Sequence, residues 1–275
     1  LQQPEMIRDV MTIAERHEVP HLVRSALRLR NDVVDLEAPR RATTGHCARS
    51  AEHRQHLFAH ARSHRAHGTL RMRRGQIAED ARHAWLTDAG AALHPSSGLT
   101  LPQMDKPDAY TWNKAPRLAG QTAETGAVAR QLADGQPLVA DLARRHGITV
   151  LVRVVARLVE LARLVPLMEA WLQALVPREP FAVPLVLPTE GAAVGLNEAA
   201  RGSLGHWLRV EGGRLAHYQI VAPTSWNFSP RDGRGQPGPL EQALEGTPVR
   251  RGETTPVAVQ HVVRSFDPCM VCTVH

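Results

Sequence analysis

The nine residues Asp267-Pro-Cys-Met-Val-Cys-Thr-Val-His275 set two thiols and an imidazole at the carboxyl end of a chain with three cysteines in all. In a Cys-x-x-Cys spacing both sulfurs can reach one ion, and thiolates select soft or borderline metals such as zinc, nickel, copper or iron. Two thiolates and one histidine do not close a tetrahedral structural site, so further ligands or an open position must come from elsewhere. A redox disulfide is the weaker reading, because no thioredoxin-like strand and helix surround the pair.

The elements that must hold this end can be read in outline. Leu1 to about Glu37 offers one or two short helices, with Met6, Ile7, Val10, Met11 and Ile13, then Leu22, Val23, Ala26 and Leu27, at helical spacing. Arg40 to Arg74 differs, carrying His46, His53, His56, His60, His64 and His67 among arginines and alanines. The i,i+4 histidine pairs suit a metal, a solvated or poorly ordered segment is the plainer reading, and a shifted reading frame is a third. Residues 1–75 are therefore expected to stand apart from a domain over 76–275. Within that domain, residues 85–120 are rich in Gly and Pro and should run as irregular chain over a surface. A long helix should follow over Gly126–Asp134 and Leu142–Leu175, apolar on most sides and kinked or split at Pro166. Leu204–Val210 and Leu215–Val221 alternate about Glu211-Gly212-Gly213-Arg214, which predicts a hairpin. Short helices over Leu240–Leu244 and Val257–Ser265 lead to the terminal cluster.

Formal net charge is +6, which raises nucleic acid as a partner, but Lys106 and Lys114 are the only lysines and no basic-aromatic interleaving accompanies the arginines. The excess reads as compositional bias, not as nucleic-acid binding. No apolar run has membrane-spanning length, since Leu142–Val176 is interrupted by Arg144, Arg145, Arg153, Arg157 and Arg163. The chain begins at Leu1 without an initiator methionine or a signal-peptide pattern, so we expect it to start inside a longer one.

Several segments in order carry a resemblance: His83-Ala-Trp85, the Tyr110-Thr-Trp-Asn-Lys-Ala-Pro-Arg117 stretch, Arg201-Gly-Ser-Leu-Gly-His-Trp207, Tyr218-Gln219, Pro223-Thr-Ser-Trp-Asn227, Ser229-Pro-Arg-Asp232 and Asp267-Pro-Cys-x-x-Cys-x-x-His275. From about Gln76 onward the chain resembles the C-terminal half of the large subunit of nickel-iron hydrogenases. The resemblance implies a mainly α fold with a small β-hairpin or sheet, incomplete in this chain. It implies that Cys269 is a terminal nickel ligand and proton acceptor. Cys272 would bridge nickel to an iron carrying carbon monoxide and cyanide. Arg201 would overhang the open site and one cyanide, with Asp267 orienting it, and Thr224 would donate to the other cyanide. His275 and the Ile220 carbonyl would hold magnesium. The resemblance further implies heterolytic cleavage and formation of dihydrogen, an iron-sulfur small subunit as electron partner, and a maturation protease with nickel-insertion proteins. A location on the periplasmic face through the partner and a cytoplasmic one both remain open.

The chain departs from that pattern in two places. An N-terminal Arg-x-Cys-Gly-x-Cys pair is missing, Cys47 standing alone in Gly45-His-Cys-Ala48, and Ala200 occupies the position where the family usually has proline. Two thiolates cannot reproduce a four-sulfur site, so this chain alone is expected to be inactive. The alternatives are a non-catalytic assembly or regulatory relative, a truncated inactive homologue, and a structural zinc module closed by one outside ligand.

Overall fold

The computed structural model describes residues 58–59, 69–70, 76–178 and 188–269. The predicted helices of residues 1–37, almost all of the histidine tract, Cys47, Cys272 and His275 lie outside the described residues. Two very short strands, β1 (Phe58–Ala59) and β2 (Thr69–Leu70), pair antiparallel. Next comes β3 (Ile77–Asp80), which pairs antiparallel with β4 (Ala115–Leu118), with Ile77 opposite Leu118 and Asp80 opposite Ala115.

The chain between β3 and β4 is irregular, as expected, apart from a 3-10 turn over Pro95–Ser97. It does not simply cover a surface. Ala84 and Leu86 are buried, and Lys106 reaches inward to donate to the carbonyls of Ala81 and, at 2.8 Å, Leu86. A cation can be buried there because two backbone acceptors replace its water.

Three helices stand where one or two were predicted: α1 (Ala127–Ala133), α2 (Pro137–His146) and α3 (Val150–Gln173). Local chemistry makes the breaks. Gln136 caps α2 by accepting from Leu138 and Val139 N–H, Pro137 fills its first position, and Gly147 ends it at φ +69°. Thr149 caps α3 through Val152 N–H. Pro166 lies within α3 without ending it. Val128, Val139, Leu142, Val152, Val155 and Val159 knit the three helices into one core cluster.

The second half is built on β5 (Gly191–Ala199), β6 (Gly202–Glu211) and β7 (Arg214–Val221), a three-stranded antiparallel sheet in that order. The predicted hairpin is its β6–β7 pair. The β5 strand is an addition, so among the described residues helices share the fold with three small antiparallel sheets, where one small hairpin or sheet was expected. Trp207 on β6 packs with Val221, Trp226, Ile77 and Leu118 in a second core cluster. Three helices complete the described chain: α4 (Pro223–Asn227), α5 (Pro239–Leu244) and α6 (Val257–Ser265). No helix of the described residues is long and apolar enough to cross a membrane.

Candidate metal centre

Arg201 sits in the two-residue turn between β5 and β6, Thr224 in the first turn of α4, and Asp267 and Cys269 just after α6. The fold brings them together in two pairs, Cys269 with Thr224 and Arg201 with Asp267. Cys269 N–H donates to Thr224 Oγ1 at 3.3 Å, and Thr224 is only 2% exposed. Accepting that bond does not use the hydroxyl hydrogen, so Thr224 keeps a donor of its own. Arg201 Nε stands 3.8 Å from Asp267 Oδ1, with both side chains half-exposed. Asp267 adopts φ +54°, a left-handed conformation that Asp tolerates better than most residues and that swings the chain from α6 toward Cys269.

A cleft at this point is lined by Glu124, Arg153, Arg157, Arg201 and Asp267 among others. Arg153 makes a two-pronged pair with Glu124, at 2.8 Å on each prong, and its guanidinium lies 3.8 Å over the Phe266 ring. Both charges are buried, so each is held by the other. Arg157 Nε lies 3.9 Å from Asp267 Oδ2, and burial pushes its guanidinium down while Asp267 opposes the shift. Asp267 therefore stands between two arginines, Arg157 from α3 and Arg201 from the β5–β6 turn.

Close backbone approach explains two glycines. A Cβ on Gly202, at φ +134°, would lie 2.3 Å from Thr125 Oγ1 and 2.8 Å from Gly126 N. A Cβ on Gly126, at φ +119°, would meet the Arg201 carbonyl at 3.2 Å. Any side chain at 202 would push the Arg201 turn off its support. That support is pinned by Asn227, whose amide accepts from Thr125 N–H at 2.9 Å and donates to Thr125 O at 3.0 Å, as a strand neighbour would.

The other motif segments hold the scaffold and not the cleft. Arg117 is buried and donates to Asp232 Oδ2 at 3.0 Å, to Ser229 Oγ at 3.2 Å and to the carbonyls of Pro230 and Gln236, joining the 110–117 and 229–232 segments. Gln219 Oε1 accepts from Lys114 and from Thr100, each at 2.8 Å. Tyr218 hydroxyl bonds His206 Nδ1 at 2.6 Å, so this histidine is engaged within the sheet. Ile220 stands on β7 opposite His206, and no distance links it to His275, which is outside the described residues.

Among the described residues no group of three or more His, Cys, Asp or Glu could hold a metal ion by itself. Cys269 is the one cysteine among the described residues and is half-buried. A cysteine bonded to a buried hydroxyl, two residues from an aspartate that faces an arginine, is a donor set that suits a soft metal with small anionic ligands: sulfur for the metal, hydroxyl and guanidinium for the anions. The donor set fits part of such a centre. With three cysteines in the sequence, Cys47 far removed from the pair, a four-thiolate set needs sulfur from beyond this chain.

Sequence reasoning did not single out Glu124, Arg153, Arg157 or Asn227. The available signal was the row of arginines in an otherwise apolar α3, where a charge on a buried face demands a partner.

Comparison with known proteins identifies the family. The family model described as nickel-dependent hydrogenase matches residues 6–275. The periplasmic [NiFeSe] hydrogenase large subunit of Desulfomicrobium baculatum is 36% identical over 207 residues, covering 68% of this chain and 40% of that protein. The hydrogenase-2 large chain of Escherichia coli is 34% identical over 228 residues, covering 72% and 40%. Among solved structures, the Ni-Fe-Se hydrogenase of Desulfovibrio vulgaris Hildenborough in the reduced state aligns with a TM-score of 0.70 at 32% identity, over 76% of this chain and 47% of that one. The chain thus spans about 40% of the length of these curated relatives.

Proposed function

Because the chain belongs to the nickel-dependent hydrogenase family, we propose that it supplies the carboxyl-side part of a large-subunit nickel-iron centre, and that the assembled protein interconverts dihydrogen with protons and electrons. Support comes from one observation: the segment after α6 meets two distant parts of the chain within three residues, Asp267 facing Arg201 across the cleft and Cys269 N–H bonded to Thr224. Cys269 and Cys272 would hold nickel, with Cys272 shared with an iron bearing carbon monoxide and cyanide. When bound, the bimetallic group polarises dihydrogen so that it splits heterolytically.

The chain's own residues have the remaining work. Cys269 Sγ takes the released proton, since a metal-bound thiolate keeps lone pairs. Arg201 presents a fixed cation at the open side, and a guanidinium stays charged at any working pH. Asp267, shared between Arg201 and Arg157, sets the direction of that cation. Thr224 directs its hydroxyl hydrogen at a second small anion. His275 and the Ile220 carbonyl would hold a magnesium ion. Electrons would leave through an iron-sulfur small subunit, and a maturation protease with nickel-insertion proteins would serve assembly.

Metal analysis and infrared spectroscopy of the chain in its assembled complex test this reading. Nickel is expected, with iron in excess of it because the small subunit's clusters add their own, together with bands from metal-bound carbonyl and cyanide. Zinc alone, or a refined structure with the Cys269 and Cys272 sulfurs pointing apart, would overturn it.

A further inference from the structure

We infer that Arg130 is the positioning residue that sets Arg201 over the site, an inference that rests on the proposed function only for its catalytic consequence. The Arg201 side chain holds itself weakly. Among the described residues its ion pair is the 3.8 Å contact with a half-exposed Asp267, and such exposed pairs contribute little. Asp267 can orient the guanidinium only once the backbone that carries Arg201 has been placed.

That backbone is gripped by a single guanidinium. Arg130, on α1 and 15% exposed, uses all five of its N–H donors. Nε and Nη2 bond the two carboxylate oxygens of Glu160 on α3, at 2.5 and 2.7 Å. Nη1 bonds Glu198 Oε2 at 2.9 Å and the Ala199 carbonyl at 3.0 Å, and Nη2 bonds the Ala200 carbonyl at 3.0 Å. The bonded groups are the three residues immediately before Arg201. Just after it, the Ser203 hydroxyl donates to the other Glu198 oxygen, so the turn is closed from both sides. Burial raises the Glu198 carboxyl, while Ser203 and Arg130 oppose the shift.

The opposite face of the turn rests on Thr125 and Gly126, the residues directly before α1. One short helix therefore supports the turn below through its amino end and clamps it above through Arg130. Lysine has three donors on a point charge and cannot bridge Glu160, Glu198 and two carbonyls at once. Ala200 does not lock its own φ as a proline would, which leaves the turn dependent on the clamp.

The test compares Arg130→Lys with Arg163→Gln in the assembled complex. Arg163 also ties α3 to the α1 region, through Gln131 at 2.6 Å and Asp134, but does not touch the turn. Both variants should lower Tm. Only Arg130→Lys should move Arg201 Nε away from Asp267 in a crystal structure and shift the cyanide infrared bands in the same sense as Arg201→Lys. Only it should lower kcat, on the order of tenfold to a hundredfold, with KM for dihydrogen unchanged. Combined with Arg201→Lys it should add no further loss. Should Arg130→Lys not fold, Glu160→Gln loosens only the anchor and should produce the same displacement in smaller degree.

An Arg201 that keeps its place in these variants, or losses that multiply in the double variant, would refute the positioning role. A displaced Arg201 together with a fully active Arg201→Lys enzyme would leave the positioning role standing and defeat the proposed function instead.

Discussion

The two halves of α3 are made of the same residue types and meet opposite fates. In the first half Val152, Val155, Ala156 and Val159 form a face buried against α1 and α2, Val154 and Leu158 stand exposed beside it, and Arg153 and Arg157 reach the candidate metal centre. In the second half Leu161, Val165, Met168 and Leu172 stand 59–68% exposed, and Leu175 and Val176, just past its end, 69% and 49%. An isolated apolar side chain at a surface needs no explanation, but a continuous face of this length does. A helix's apolar pattern states that something covers it and not what. In the first half the covering elements are local in sequence and belong to this chain. For the second half, the described residues contain no such cover.

The sharpest way to break this contrast is at the buried ion pair. Glu124→Ala leaves Arg153 buried without its carboxylate and should cost about 3–5 kcal/mol in unfolding free energy. Leu142→Ala, a truncation at a fully buried position, should cost about 2–5 kcal/mol. Leu172→Ala, the same truncation on the exposed half, should stay within about 0.5 kcal/mol. Denaturant titration of the three variants checks all of this. Equal losses at 142 and 172 would mean that the second half is covered after all.

A pH experiment sharpens the contrast in another buried region. Burial raises the Glu79 carboxyl above 4.5, outweighing the Lys114 ammonium 3.4 Å away. The folded state therefore binds a proton that the unfolded state has released. The stability that Glu79 contributes is fully present below about pH 4.5 and is lost as pH rises from there through the folded value. The difference in unfolding free energy between the wild type and Glu79→Gln should turn against the wild type as pH rises from 4.5. A difference that is flat in pH would show that Lys114 holds Glu79 ionised throughout.

How far these regions could be read in advance follows the range of the interactions. The β6–β7 hairpin, α5 and α6 were legible to within a residue or two, because Gly212-Gly213, Pro239 and the apolar spacing of 257–265 act locally. The breaks at Gly135-Gln136 and Gly147-Thr149 also carry local signals, yet the apolar richness on both sides masked them. Strand β5 was not legible. Its Gly and Ala residues have no strand preference of their own, and it exists because β6 offers an edge. β4 contains Pro116 and a buried Arg117, both poor strand signals, and depends on β3 and on Asp232, 115 residues onward. At the site, motif order pointed to Arg201, Thr224, Asp267 and Cys269. Glu124, Arg130, Arg153 and Asn227 act through partners 29 to 102 residues away, which no local window contains.

The smallest effect on stability should accompany the clearest effect on association. Leu172→Glu with Leu175→Glu places two charges at exposed positions that touch no core, so unfolding free energy should change by no more than about 0.5 kcal/mol per site. The isolated chain should aggregate through the uncovered half of α3, because a large contiguous apolar patch associates in water. Light scattering should show the double variant less aggregated than the parent, at the same concentration and with nearly the same Tm. The matching change on the first half, Val152→Glu, puts a charge into a core position and should unfold the protein, not disperse it. If the parent chain is already monodisperse, the exposed half of α3 is not adhesive, and the difference between the halves is one of packing alone.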